Sequence, residues 1–302
     1  MRGPRPSLRS RLIRYAPSIR RAHRQYASAE ETRAAILALA AAPVAFEPPR
    51  AVRRRVSVEE RGEGVRCPVY EVTPRRSDPD ATVLFLHGGA YFREIRPQHW
   101  RLVAHLAETM PARVIVPIYE LAPSGTGATV VPAMLELADR LVEAGHPFFI
   151  VGDSAGGGMA LAVAQELIAG GAAPRGLVLI SPWVDISCAH PGLAERAHRD
   201  PWLQPAGLAA AGDAYRGPLS PEHPWVSPLF GHLTGVGPVL VFSGTDDILN
   251  ADAHRLVDAL LAAGERVELV EAPAMIHDYV LHRTPEGRAA RRVITSWLGG
   301  RV

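Results

Sequence analysis

The chain has 302 residues and no lysine; all 33 of its basic residues are arginine. That absence removes the phosphate-loop lysine of a Walker A nucleotide site, Schiff-base chemistry on an amine or on pyridoxal phosphate, and any Ser–Lys dyad. Cysteine is nearly absent too. Cys67 and Cys188 cannot build a disulfide framework or a Cys-rich zinc site, and they read as two buried small side chains. No H-E-x-x-H occurs, which leaves a zinc-protease reading without support. No uninterrupted apolar run reaches the ~18 residues that a membrane span needs. Acidic residues are missing before Glu30, whereas eight arginines fall within the first 24 positions.

A basic start of this kind suits a targeting peptide, a nucleic-acid arm or a membrane-surface helix. The apolar run Ala34 to Phe46 comes late for a signal peptide, and no aromatic interleaving supports nucleic-acid binding. Leu8, Leu12, Tyr15 and Ile19 fall at helical spacing, interrupted by Pro17. The expectation is helices folded over the rest of the chain with their arginines in water, no nucleic-acid partner, and a cytoplasmic protein. With 47% hydrophobic and 21% charged residues and a net charge of +2, the remainder has the composition of a packed globular protein.

From residue 50 the pattern turns to strands. Val52–Val58 and Val65–Val72 are β-branched and separated by Gly62 and Gly64, which reads as a hairpin. Short apolar runs follow at Thr82–Leu86, Val114–Val116, Phe148–Val151, Leu177–Ile180, Val239–Phe242 and Val267–Val270. Helical stretches alternate with them, near Pro97–Met110, Val130–Ala144, Ser154–Ala169, Ala251–Ala263 and Pro285–Leu298; His254 and His282 are expected on helices. This rhythm implies right-handed crossovers and a mainly parallel sheet covered on both faces. Nearly sixty residues between Ile180 and Val239 hold no clear strand, and so long an insertion is usually functional. It is read as part of a lid that the N-terminal helices join.

Three loops carry chemistry. Strand Phe148–Val151 runs into Gly152-Asp153-Ser154-Ala155-Gly156 and then a helix, the context that gives G-x-S-x-G its meaning. The serine is raised at a strained turn, beside a helix N-terminus with free N–H groups. A dinucleotide loop is the rival reading, but Ser154 stands where its second glycine is required. Strand Thr82–Leu86 runs into His87-Gly88-Gly89-Ala90-Tyr91-Phe92, where Gly88 and Gly89, with the N–H of Ala155, are the expected donors to an oxyanion. His87 is expected to anchor the loop, and Asp153 to tie the serine turn to nearby backbone. The last two strands lead to Asp246-Asp247 and to His277. The order Ser, acid, His fits an acyl-transfer triad, with Asp246 and Asp247 both open as the acid.

Together, His87-Gly88-Gly89-Ala90, Gly152-Asp153-Ser154-Ala155-Gly156, Asp247-Ile248-Leu249 and His277 resemble the hormone-sensitive-lipase-like family of α/β-hydrolases, whose bacterial members are serine carboxylesterases. Tyr119-Glu120-Leu121-Ala122-Pro123, Ser181-Pro182-Trp183 and Ser227-Pro228-Leu229 add to the likeness, which covers roughly residues 50 to 300. It implies an α/β-hydrolase fold with about eight mostly parallel strands flanked by helices. Residues 1–50 and 183–225 would form a helical cap over a core of 51–182 and 226–302. In the family the acid stands two places before a leucine, which selects Asp247. Ala90 replaces the usual third glycine, while Ile118 and Glu120 replace a common aspartate and arginine.

The expectation is therefore a cofactor-free and metal-free esterase with Ser154, Asp247 and His277 as triad. It would act on uncharged short-to-medium acyl esters, as a monomer or homodimer. Tyr91, Phe92, Trp183, Trp202 and Ile276 are candidate pocket walls. An acyltransferase or amidase would use the same triad, and a non-catalytic small-molecule receptor is the reading from another class.

Overall fold

The structure, a computed structural model, describes residues 6–42, 44–62, 66–145 and 147–302. The chain begins with helices α1 (Leu8–Ile13), α2 (Pro17–Tyr26), α3 (Ala29–Ala41) and the single turn α4 (Arg50–Arg53). Strands β1 (Ser57–Glu60), β2 (Val69–Thr73) and β3 (Ala81–Leu86) follow. Helix and strand then alternate through α5 (Pro97–Thr109), β4 (Ala112–Pro117), α6 (Gly127–Glu143), β5 (Phe148–Asp153), α7 (Ala155–Ala169) and β6 (Leu177–Ile180). The insertion carries α8 (Pro191–Arg196) and α9 (Pro205–Arg216). After it come β7 (Val239–Gly244), α10 (Asn250–Ala262), β8 (Val267–Ala272) and α11 (Pro285–Gly299).

The eight strands form one sheet in the order β1-β2-β4-β3-β5-β6-β7-β8. β2 is antiparallel to β1 and to β4, and every other neighbouring pair is parallel. The all-apolar strands have the reason the sequence suggested: both faces are covered. Leu84, Leu86, Ile150 and Val241 point into one core with Met134, Leu161 and Leu256 of α6, α7 and α10. Val83, Phe85, Val151 and Phe242 point into another with Trp100, Leu102, Ile294 and Leu298 of α5 and α11. Because β3, β5, β7 and β8 run the same way, the loops after them open at one sheet edge.

Some expectations change. Residues 52–58 do not form one strand. The N–H groups of Val52 and Arg53 donate to the Pro49 carbonyl, at 2.8 and 3.1 Å, and wind α4 before β1 starts. The two buried valines, Val52 and Val56, are four residues apart, a helical repeat that the β-branched composition concealed. β1 and β2 do pair as the expected hairpin, whose Gly64 and Val65 lie outside the described residues, as do Arg2 and Arg5. His254 is on α10, but His282 follows a 3₁₀ turn at Tyr279–Leu281 rather than sitting on a helix. Of the N-terminal apolar series, Ile19 is buried while Leu8, Leu12 and Tyr15 are exposed. Helices α2 and α3 pack on α9 of the insertion. Gly207 of α9 lies so close to α2 that a Cβ there would be 2.1 Å from the Tyr26 carbonyl oxygen. Among the described residues no helix is long and apolar enough to cross a membrane.

Candidate active site

Ser154 joins β5 to α7 with φ 51° and ψ −119°, a conformation that costs an L-residue on the order of 1–3 kcal/mol. Surrounding bonds hold it there. Its N–H donates to the Ile180 carbonyl at 2.8 Å, and its own carbonyl accepts from Trp183 at 2.9 Å and Gly158 at 3.1 Å. The turn closes only around glycine: a Cβ on Gly156 would lie 2.1 Å from the Leu86 carbonyl oxygen, and one on Gly152 2.2 Å from that of Gly156.

The loop after β8 brings His277 to this turn. Its Nε2 lies 3.0 Å from Ser154 Oγ, and its Nδ1 lies 2.9 Å from Asp247 Oδ2, on the loop after β7. All three side chains are buried. The carboxylate beside Nδ1 holds the proton there, so that Nε2 can accept from the hydroxyl. Asp247 is itself fixed by the Leu249 N–H, which donates to its Oδ1 at 2.9 Å. The neighbouring Asp246 points away and accepts from Arg14 of the N-terminal segment at 2.9 Å.

Two further carboxyls crowd the imidazole. Asp278 Oδ2 lies 3.3 Å from His277 Nε2. Asp200, in the insertion, accepts from the N–H groups of Trp202, Leu203 and Ile248 at 2.8 to 3.0 Å. Burial by itself would lower the pKa of His277, but Asp247, Asp278 and Asp200 outweigh it and push the group up to about 10. Burial, reinforced by the charge of Asp247, raises Asp200 to about 6. Asp278 rises well above the usual carboxylate range through burial, with Asp153, Asp247 and Asp200 adding to it against the pull of His277.

Opposite the imidazole, the loop after β3 passes close to the serine. Gly88 packs against the Asp153 carboxylate and carbonyl, where a Cβ would find 2.3 and 2.6 Å. Gly89, Ala90 and Tyr91 all have positive φ. Among the described residues the N–H groups of Gly88, Gly89 and Ala155 donate no hydrogen bond within the protein. His87 is buried, stacked on Tyr119 at 4.4 Å, with Nδ1 2.8 Å from the Gly88 carbonyl; burial lowers its pKa to about 4. Asp153 does not tie the turn to backbone: it faces Nε2 of buried His99 at 3.1 Å. Nδ1 of His99 accepts from the Arg96 N–H at 2.9 Å, which places the ring proton on Nε2, toward the carboxylate.

A narrow cleft of about 30 Å³ reaches Ser154 and His277, bounded by Tyr26, Gly89, Trp202, Leu203 and Leu208. Of the five aromatic and aliphatic wall candidates, Trp202 is on this cleft, with its ring 5.4 Å from that of His277. Tyr91, Phe92, Trp183 and Ile276 do not line it and are buried in the core; Tyr91 stacks on Tyr215 at 3.5 Å. Sequence reasoning missed His99, Asp200 and Asp278. Only Asp278 carried a signal, by adjoining His277. Among the described residues no three His, Cys, Asp or Glu side chains are grouped to hold a metal ion.

Comparison with known proteins bears on the family and the fold. A family model described as alpha/beta hydrolase fold matches residues 83–281. An acetyl-hydrolase of Streptomyces hygroscopicus is 34% identical over 77% of this chain and 79% of its own length. An ethyl acetate hydrolase of Pseudomonas putida is 31% identical over 72% of this chain and 73% of its own. Among solved structures, an esterase from the bacterial hormone-sensitive lipase family superposes with a TM-score of 0.79 at 25% identity, over 94% of this chain and 97% of that one.

Proposed function

The chain belongs to the hormone-sensitive-lipase-like family of α/β-hydrolases and is a carboxylic ester hydrolase, and from that premise we propose that it works through an acyl-serine on Ser154. The observation that carries this reading is the unbroken relay from Ser154 Oγ through His277 to Asp247, at 3.0 and 2.9 Å. In the proposed cycle Oγ attacks the ester carbonyl carbon while its proton passes to His277 Nε2. The carbonyl oxygen takes the negative charge and is received by the N–H groups of Gly88, Gly89 and Ala155, each such donor being worth ~10²–10³ in rate. The intermediate collapses as Nε2 returns the proton to the departing alcohol. Water then repeats the sequence on the acyl-serine and frees the acid. Asp247 holds the tautomer and balances the imidazolium.

The helices of residues 1–50 and 183–225 act in this reading as a cap: Tyr26 and Trp202, one from each segment, both border the cleft. The narrow space at the serine favours acetyl and other short acyl groups. Hydrolysis of nitrophenyl esters of increasing chain length tests the reading, together with labelling by a serine-directed phosphonate. Rates greatest at two to six carbons and labelling lost in Ser154→Ala are expected. Labelling that survives in Ser154→Ala would overturn it.

A further inference from the structure

Two cavities adjoin the serine cleft in line. The first, of about 260 Å³, shares Arg96, Gln98, Trp202 and His282 with the cleft; the next, of about 210 Å³, shares Gln98, Arg101 and Arg283 with the first. In the groove they form, the first cavity lies between the N-terminal helices (Ile13, Ile19, Ala22), α5 and the loop after His277, and the second reaches α11; the charged side chains on their walls are arginines. Neither outer cavity has an aspartate or glutamate on its wall. Among the described residues the guanidinium groups of Arg96, Arg101 and Arg283 make no ion pair or hydrogen bond. Arg291 donates only to the carbonyls of Val280 and His282. At the rim, Arg55 alone is paired, with Glu108.

Such an assembly is unfavourable in an unliganded protein. Burial, together with Arg101, Arg288 and Arg283, pushes Arg291 down to about 10, and burial with Arg283 lowers Arg101. His282 and His105 also line the groove, and burial lowers the pKa of both, so neither adds a carboxylate or other negative charge to it. Surface arginines placed only for solubility would spread apart and meet carboxylates. Here they converge on an open groove that leads to the nucleophile, as recognition of an anion requires.

We propose that the groove binds a phosphate monoester, so that the substrate is a short-chain acyl ester whose alcohol portion carries a terminal phosphate. The inference rests on the esterase reading for the position of the scissile bond. It replaces the expectation of an uncharged substrate. The narrow cleft at Ser154 takes the acyl group, and the open groove leaves the alcohol portion as the part that reaches the arginines. Phosphate matches the site better than a carboxylate does, because its dianion offers three terminal oxygens to several forked donors.

The test compares wild-type kcat/KM on acetate esters of ω-hydroxyalkyl phosphates, with two to eight methylenes, against the matched unphosphorylated acetates. A preference of about tenfold or more at one chain length is expected, since a charge-assisted contact of this kind is worth roughly one such factor. The ratio should fall toward one in 0.5 M NaCl and in Arg101→Gln/Arg283→Gln. Equal turnover of charged and neutral acetates overturns the inference and leaves the esterase reading standing. Calorimetric titration of wild-type protein with hexyl phosphate, which has no ester to cleave, reads the groove separately. Binding at millimolar or lower concentration that competes with inorganic phosphate supports the proposal, and no binding of either overturns it even if no acetate is hydrolysed. Rates on soluble acetoxyalkyl phosphates and on vesicles containing phosphatidic acid, whose head group is a phosphate monoester, distinguish a soluble ester from a lipid head group; turnover of either supports the groove and turnover of neither overturns it.

Discussion

Asp278 Oδ2 lies 3.3 Å from the same His277 nitrogen that faces Ser154 Oγ at 3.0 Å, so a carboxyl and a hydroxyl compete for one lone pair. With one proton shared between them, either an imidazolium faces a carboxylate or a protonated carboxyl donates to Nε2. While that proton is present Nε2 is occupied, and only its loss leaves Nε2 free to accept from the serine. Asp278 also sits at φ 53°, a left-handed conformation that asparagine tolerates well.

The sign of the pH dependence follows. His277 is pushed up to about 10, so the proton persists at pH values where a free imidazole has lost it. Activity on a neutral acetate should therefore climb with pH above neutrality. Asp278→Asn removes one of the carboxylates that raise His277. The acid limb of the kcat/KM profile should move down by about one unit or more. A limb that stays in place would show that Asp278 has no part in setting the base.

Adjacent aspartates should behave differently. Asp247 reaches His277 and Asp246 reaches Arg14. Asp247→Asn should lower kcat by about 10³–10⁴, as expected when an imidazole is held in the wrong tautomer. Asp246→Asn should leave kcat within about threefold, because a partly exposed ion pair is worth about 1 kcal/mol or less. Comparable losses in both variants would contradict the division of roles.

The division between legible and hidden features has a physical basis. The sheet could be read because strands buried on both faces are short, apolar and evenly spaced, and the serine turn because only glycine fits at positions 152 and 156. Choosing between Asp246 and Asp247 needed a family likeness, since neighbouring side chains point apart whichever of them serves. Val52 and Val56 misled because β-branching outweighed their four-residue spacing. Asp200 was hidden for another reason: its partners, Trp202, Leu203 and Ile248, are backbone groups, and backbone groups leave no mark on sequence. The arginine groove was equally hidden, assembled from residues almost two hundred positions apart.

Asp200 supports the insertion and the acid loop together. Asp200→Ala would leave three N–H groups without their acceptor, at a cost of about 3 kcal/mol or more, and should lower the melting temperature by at least about 6 °C. Its folded pKa of about 6 lies above the ordinary value, so the folded state holds that proton longer than the unfolded chain does. The stability it contributes is present at pH 4 and diminishes as pH rises toward 6. The gap in melting temperature between wild type and Asp200→Ala should thus be widest at the acid end. A gap that widens with rising pH would contradict this linkage.

The roof over the cleft can be tested without touching its reacting groups. Tyr26 closes α2, borders the cleft and packs on Phe92 with rings 5.6 Å apart. A Cβ on Gly207 would stand 2.1 Å from the Tyr26 carbonyl oxygen and 2.6 Å from its carbonyl carbon. Backbone atoms cannot rotate aside as a side chain can, so Gly207→Ala must displace α2 from α9. The sheet, which α2 does not help to form, should still fold cooperatively. Amide exchange in residues 17–41 should quicken, and KM should rise more than kcat falls, because the wall that Tyr26 gives to the cleft is lost while the relay remains. Gly62→Ala serves as control: it meets nothing within 4 Å and should change neither quantity. Wild-type KM and wild-type exchange in Gly207→Ala would mean that the N-terminal helices do not form the roof of this site.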